Sequence, residues 1–322
     1  MKRATNVVLW LIAAACSCEA AWAQGYPTKP VRFVVGFPPG GATDVVARLI
    51  SQKLSDVLGQ SVVVDNRAGA ASNIGAELVA TSPKDGHTIF MGTVSLSINP
   101  SLYIKLAYDA LRDFAAVTQV TSTPFMLVVH PSLPATSVKQ FIALAKSRPD
   151  QLNYASAGSG SGAHLFTEMF RSMAGVRVVH VPYKGAAPAT TATLSGETIF
   201  MFDNIVTTLP LARAGRLRAL AVTTSTRSSA ASDIPTVAEA GVAGYDANAW
   251  FGVFAPAGTP PAVINRLHSE IVKIVKLPDV RDRLLSLGGE PVGSSPEQFA
   301  VFFRNEVTKW GKVVRESGAR AD

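Results

Sequence analysis

Cysteine is nearly absent. The 322 residues hold two, Cys16 and Cys18, both close to the N-terminus. The rest of the chain therefore supports no disulfide framework and no thiol nucleophile. Histidine is almost as sparse: His87, His130, His164, His180 and His268 show neither H-x-x-x-H nor H-E-x-x-H spacing, so no local pattern supports a metal site. Charge is thin, with 16% of residues Asp, Glu, Lys or Arg, scattered without blocks. A net charge of +7 spread in this way suits mild attraction of anions and argues against a nucleic-acid partner. Residues 36–41 have P-loop spacing, but Ala42 and Thr43 stand where Lys and Ser or Thr should follow. Neither G-x-G-x-x-G nor G-x-S-x-G is completed around Gly158 and Gly162. No cofactor is expected.

What is present begins with an export signal. Lys2 and Arg3 precede an apolar run over 7–15, too short for a confident membrane span, and Ala21-Trp22-Ala23 reads as a cleavage site before Gln24. A lipoprotein reading of Cys16 fails because Ala13, not Leu, stands three residues before it. Residues 1–23 are therefore expected to be a signal peptide. The mature chain is expected to be soluble and periplasmic, without cysteine.

The chain is organised around residues 31–58. Val31 to Val35 is a short β-branched and aromatic run, the mark of a buried strand. A Pro/Gly loop follows, and then Val45, Val46, Leu49, Ile50, Leu54 and Leu58 recur at helical spacing. Thr43 reads as the N-cap, Asp44 as a first-turn carboxylate, and Gly59 as the stop. Strand, glycine loop and helix N-terminus make an anion site, because the first N–H groups of a helix are unpaired and carry positive partial charge. Gly40 and Gly41 would let a ligand approach the backbone. The same pattern is also a common structural turn of α/β folds.

The pattern recurs. Residues 152–156 read as a strand, and Ala157-Gly-Ser-Gly-Ser-Gly-Ala-His164 opens a second helix closed by Gly175. Strands alternating with helices predict an α/β fold with a mostly parallel sheet. A β-rich stretch over 114–130, broken by Pro124, and a strand over 249–255 are long enough to cross between two lobes. One anion loop per lobe would grip a ligand from both sides of a cleft. His164 reads as a polar wall residue or a general base, and Asp44 as a cap-region carboxylate or a catalytic acid. Asp203 would line the cleft or bond loop amides; Asn73 would cap its helix or meet a ligand; Lys184 is a solvated charge or an anion contact. Phe299, Phe302, Phe303 and Trp310 on the last helix read as packing.

These residues form a series. Phe37-Pro-Pro-Gly-Gly-Ala-Thr-Asp44, Asn66-Arg-Ala-Gly69 and Asp85-Gly-His-Thr88 are followed by Val181-Pro-Tyr-Lys-Gly185, Met201-Phe-Asp203 and Trp250-Phe-Gly-Val-Phe-Ala-Pro-Ala-Gly258. The set resembles the Bug-type receptors, the extracytoplasmic subunits of tripartite tricarboxylate transporters. The resemblance implies a type II, two-lobed Venus-flytrap periplasmic binding protein with a ligand cleft between lobes, here 26–123 with 225–322 and 124–224. It further implies a small organic carboxylate as ligand, membrane permease subunits as partners, a monomer, and no catalysis. Carried over by residue, the ligand site is Phe37, Gly40, Gly41, Ala42, Thr43, Asp44, Asn73, Ala157, Gly158, Ser159, Gly160, His164 and Asp203. Ala42, Ala68, Ala71 and Ser72 depart from the family pattern and bear on which acid is bound. A hydrolase using His164 and Asp203, or a sensing module, are the rival readings.

Overall fold

The computed structural model describes residues 25–321. The signal-peptide reading, with Cys16 and Cys18, lies outside the described residues. The first half of the chain runs β1 (Val31–Val35), α1 (Ala42–Leu58), β2 (Val62–Asn66), α2 (Asn73–Ala80), β3 (Thr88–Thr93), α3 (Val94–Leu102), β4 (Phe114–Val129), α4 (Val138–Ser147) and β5 (Asn153–Ser156). Then come α5 (Gly162–Ala174), β6 (Val179–Pro182), α6 (Ala186–Ser195), β7 (Phe200–Asn204), α7 (Ile205–Arg213) and β8 (Arg218–Val222). The chain closes with β9 (Asn248–Pro256), α8 (Pro261–Lys276), α9 (Pro278–Ser286), β10 (Glu290–Pro291) and α10 (Pro296–Ser317).

Among the described residues the strands form one sheet in the order β2-β1-β3-β9-β4-β7-β5-β6, with β8 and β10 also paired to β4. Strand β1 lies parallel between β2 and β3, and β5 parallel between β6 and β7. These are the two βα repeats read from the sequence. Strand β4 joins them. From Phe114 to Pro124 it pairs antiparallel with β9, and from Phe125 it pairs with β7 and, one residue later, β8. Pro124 does not break the strand as expected. It sits where one ladder hands over to the next, a place where a residue with no N–H is tolerated.

One apolar cluster runs through both halves, and two further clusters lie mainly on one half each. Val31, Phe33, Ile50 and Leu54 pack with Leu267 and Ile271 of α8 at zero exposure. Each such fully buried side chain contributes about 1.5–3 kcal/mol. The aromatics of α10 are packing, as read. Trp310 stacks on Phe166 of α5 at 5.0 Å, and both Trp250 and Trp310 donate their indole N–H to the buried Glu306 carboxylate. Thus α10 bridges the halves, packing on α3 and β9 of the first and on α5 of the second. The segment after β8 also sits on the second half: Val237 N–H donates to Val222 C=O, and the Tyr245 hydroxyl to Phe166 C=O at 2.9 Å.

The halves touch across the gap between them. The Tyr103 hydroxyl donates to Ser159 C=O at 3.2 Å. Pro38 lies over Gly185, and Gly160 over Ala71, Asn99 and Leu102.

Candidate functional site

Two loops that differ in sequence are built alike. In the first, Gly40 has φ +86° and Gly41 is the N-cap of α1. Thr43 is therefore not the cap; it is the second helical residue. Gly41 has no side chain to occupy the first amides, so they remain on offer. In the second loop, Gly160 has φ +88° and Ser161 is the N-cap of α5, accepting from His164 N–H. The third helical residue of each then reaches back four positions. An Asp44 carboxylate oxygen accepts from Gly40 N–H at 3.0 Å, and His164 Nδ1 accepts from Gly160 N–H at 3.2 Å. Both glycines hold left-handed backbone that other residues enter at a cost of roughly 1–2 kcal/mol.

The Asp44 and His164 side chains thereby brace their loops. Asp44 also accepts from Arg48 at 2.9 Å and from Asn66 at 3.0 Å. Burial pushes its carboxyl up, but the bonds from Arg48, Gly40 and Asn66 more than reverse this, and its pKa lies below the ordinary value. Burial lowers His164 to about 3, with His180 and Arg171 adding repulsion. The ring is neutral, stacked on His180 at 4.3 Å, with Nδ1 already engaged by the loop.

Between the loops lies a cavity of about 70 Å³. A single water needs roughly 10–15 Å³, so several water-sized groups fit. Its wall is made of helix beginnings. Ala42 and Thr43 come from α1, Val94 and Ser95 from α3, Gly162 and Ala163 from α5, and Ala186 and Ala187 from α6; Asn204 caps α7. Five helix N-termini thus converge, with Phe37, Phe125 and Trp250 closing the apolar side. The contributions of α3 and α7 escape a reading of the sequence, because Pro100 and Pro210 lie inside these helices and read as breakers. Their caps were the available signal. Thr93 accepts from Ser95 N–H and Asn204 from Val206 N–H, each as the last residue of its strand. The Ser95 hydroxyl, 1% exposed, has no protein partner.

Asp203 is the sole ionisable residue on this wall among the described residues. It is the penultimate residue of β7 and accepts from the Thr207 hydroxyl at 2.8 Å. Burial raises it to about 6, against the lowering effect of bonds from Thr207, the Asn204 amide and Thr190.

The cavity wall includes Phe37, Gly41, Ala42, Thr43, Ala157 and Asp203 of the expected set. Gly158 and Ser159 line an outer mouth together with Phe37, Ala157, Tyr103 and Lys184. Gly40 faces a separate surface hollow beside α6 and α7. Asp44, Gly160 and His164 stand behind the loops and line neither space. Asn73 does not cap its helix: Ser72 holds that position, and Asn73 Oδ1 accepts from Asn99 at 2.7 Å and Tyr108 at 2.6 Å. The turn before it keeps Ala70, Ala71 and Ser72 all at positive φ. Its Ser72 hydroxyl occupies the space a Cβ at Gly36 would need, so that glycine is required. Among the described residues no cluster of metal-ligating side chains is present, and no helix is long and apolar enough to cross a membrane.

A family model described as "Tripartite tricarboxylate transporter family receptor" matches residues 46–319. Protein BugT of Bordetella pertussis is 38% identical over 322 residues, 99% of each chain. The solved structure of R. palustris Rpa4515 with adipate is similar at TM-score 0.89 and 40% identity, over 92% of this chain and 99% of that one. MatC from Rhodopseudomonas palustris with bound malate gives 0.86 at 34% identity, over 90% and 100%. Sharing its two-lobed α/β architecture with these binding proteins and matched by the family model over most of its length, the chain belongs to the tripartite tricarboxylate transporter receptor family, as a Bug-type solute receptor.

Proposed function

We propose that this receptor is exported to the periplasm, captures a small organic carboxylate in the inner cavity, and delivers it unchanged to a membrane permease. It acts as a monomer, with no cofactor, nucleic acid or catalytic step. The observation that carries this reading is the convergence of five helix N-termini on a cavity without a cationic side chain. A carboxylate leaving water must regain its hydrogen bonds. Bonds to a charged group are worth about 1.5–3 kcal/mol each, and a helix terminus adds roughly 0.3–1 kcal/mol. Several termini together hold an anion without an arginine, and let it leave once the halves separate. That Rpa4515 holds adipate and MatC malate supports the same ligand class.

In this reading Phe37, Gly41, Ala42, Thr43, Ala157 and Asp203 meet the ligand, Gly158 and Ser159 guard the mouth, and Gly40, Asp44, Asn73, Gly160 and His164 hold the loops. The lobes are 26–123 with 225–322 and 124–224, with the 225–247 segment packed on the second and the hinge on β4 and β9.

A thermal-shift panel of mono-, di- and tricarboxylates, including adipate and malate, tests the reading. An acid at one hundred times its Kd stabilises by about 2.7 kcal/mol. Mass analysis of the recovered acid should find it unchanged. Failure of every acid sinks the receptor reading, and conversion of the acid favours the hydrolase. For the address, mass spectrometry of exported protein should find Gln24 at the N-terminus; an intact Met1 or a lipid on Cys16 contradicts it.

A further inference from the structure

The cavity assigned to an anion contains a carboxyl group. Asp203 is 4% exposed, and no cation shares its wall. The charged and titratable groups on the surrounding elements face elsewhere. On α1, Asp44 and Arg48 pair with each other. On α5, His164 lies behind its loop against His180 of β6, which bonds Ser156. Lys184, before α6, stands at the outer mouth. Arg283 of α9 borders the surface hollow shared by Thr190 and Thr207. On α7, Arg213 bonds Ala230 C=O. Strand β4 places Met126 opposite Asp203.

Two carboxylates side by side in one buried cavity resist being ionised together, and one proton is shared between them. Resting on the receptor reading, we propose that capture of the acid takes up one proton, held by Asp203, which then donates its O–H to the ligand carboxylate. The proton comes from water or buffer and forms the Asp203 O–H bond; no covalent bond of the ligand forms or breaks. The ligand is thus held by helix amides on one side and by a neutral acid on the other. Burial by the protein alone raises Asp203 to about 6, so the proton is easily gained. Asp203 also sets selectivity. It favours anions that can accept a hydrogen bond at that corner, and it is the group the receptor would have to use differently for an amine-bearing ligand.

The sign follows from linkage. Above about pH 6 the free receptor is deprotonated at Asp203 and the complex is not. Affinity then weakens up to roughly tenfold for each pH unit of rise, and levels off below about 6. The test is titration calorimetry at pH 7.5 with adipate, malate and any other acid retained in the panel, in buffers of different ionisation enthalpy. Uptake close to one proton per ligand is expected, with Kd rising nearly tenfold between pH 7 and 8. Asp203→Asn, whose amide donates without titrating, should show no uptake and a flat pH profile. An acid that binds wild type without proton uptake, an amine-bearing acid included, overturns the proposal and leaves the receptor reading standing. So does uptake that persists undiminished in Asp203→Asn. Failure of all acids to bind removes the receptor reading, and this proposal with it.

Discussion

Gly160→Ala is expected to fold and to lose ligand capture, with affinity down roughly 10- to 100-fold. A Cβ at Gly160 would lie 2.8 Å from Asn99 Oδ1, 3.0 Å from Leu102 and 3.1 Å from the Ala71 methyl. All three belong to the opposite half of the molecule, on α3 and the strained turn before α2. The added methyl is therefore a wedge between the halves, and overpacking of this kind costs about 1–3 kcal/mol. The cost falls on the closed arrangement alone, since separating the halves relieves it. Left-handed backbone adds roughly 1–2 kcal/mol in both arrangements. Gly215→Ala isolates that second component, because Gly215 has φ +68° and nothing within 4 Å of a Cβ. The two variants should share a similar loss of thermal stability, and only Gly160→Ala should lose affinity. Solution scattering gives an independent reading: wild type should contract on binding its acid, and Gly160→Ala should not. Equal affinity for the two variants would mean that the contact across the cleft is not part of capture.

What the sequence made legible follows from where local chemistry decides structure. The β1 and β5 repeats were readable because β-branched runs, glycine loops and apolar periodicity agree there. Gly59 and Gly175 end α1 and α5 in left-handed conformation as read. The C-terminal aromatics were readable as packing because their spacing keeps them on one helical face. Thr43 was misplaced by two positions because Gly41 caps without a side chain, which no polar residue announces. The Asp44 and His164 braces depend on a side chain returning four positions to a glycine amide. That is a geometric fact of a helix start, visible in sequence as Gly-x-x-x-Asp and Gly-x-x-x-His only once the helix boundary is known. The five-fold convergence was out of reach, since it depends on the sheet order that sets the ends of β3 and β7 on either side of β9 and β4. Asp203 was read as either lining the cleft or bonding loop amides. It lines the cavity and accepts from the Asn204 amide and from Thr207 at once.

That position has a cost in stability, and Asp203→Asn should reveal it in the ligand-free protein. In the unfolded chain the carboxyl titrates near its ordinary value of 3.8; in the folded receptor burial holds it at about 6. A group raised on folding favours the folded state at low pH, and that contribution is lost as pH rises through about 6. The difference of about two pKa units corresponds to on the order of 3 kcal/mol, at roughly 1.4 kcal/mol per unit. Asparagine keeps the shape and an acceptor for Thr207 and carries no charge to bury. Urea unfolding of both proteins should therefore agree most closely below about pH 3, where Asp203 is largely protonated in both states. Near pH 8 the variant should be more stable by about 3 kcal/mol, a large share of the 5–15 kcal/mol typical of a domain. Comparing the two at each pH cancels the titration of every other group. A difference that does not change between about pH 3 and pH 8 would mean that burial does not raise the Asp203 carboxyl. A variant less stable at pH 8 would mean that the helix termini around the empty cavity stabilise the Asp203 anion more than burial destabilises it.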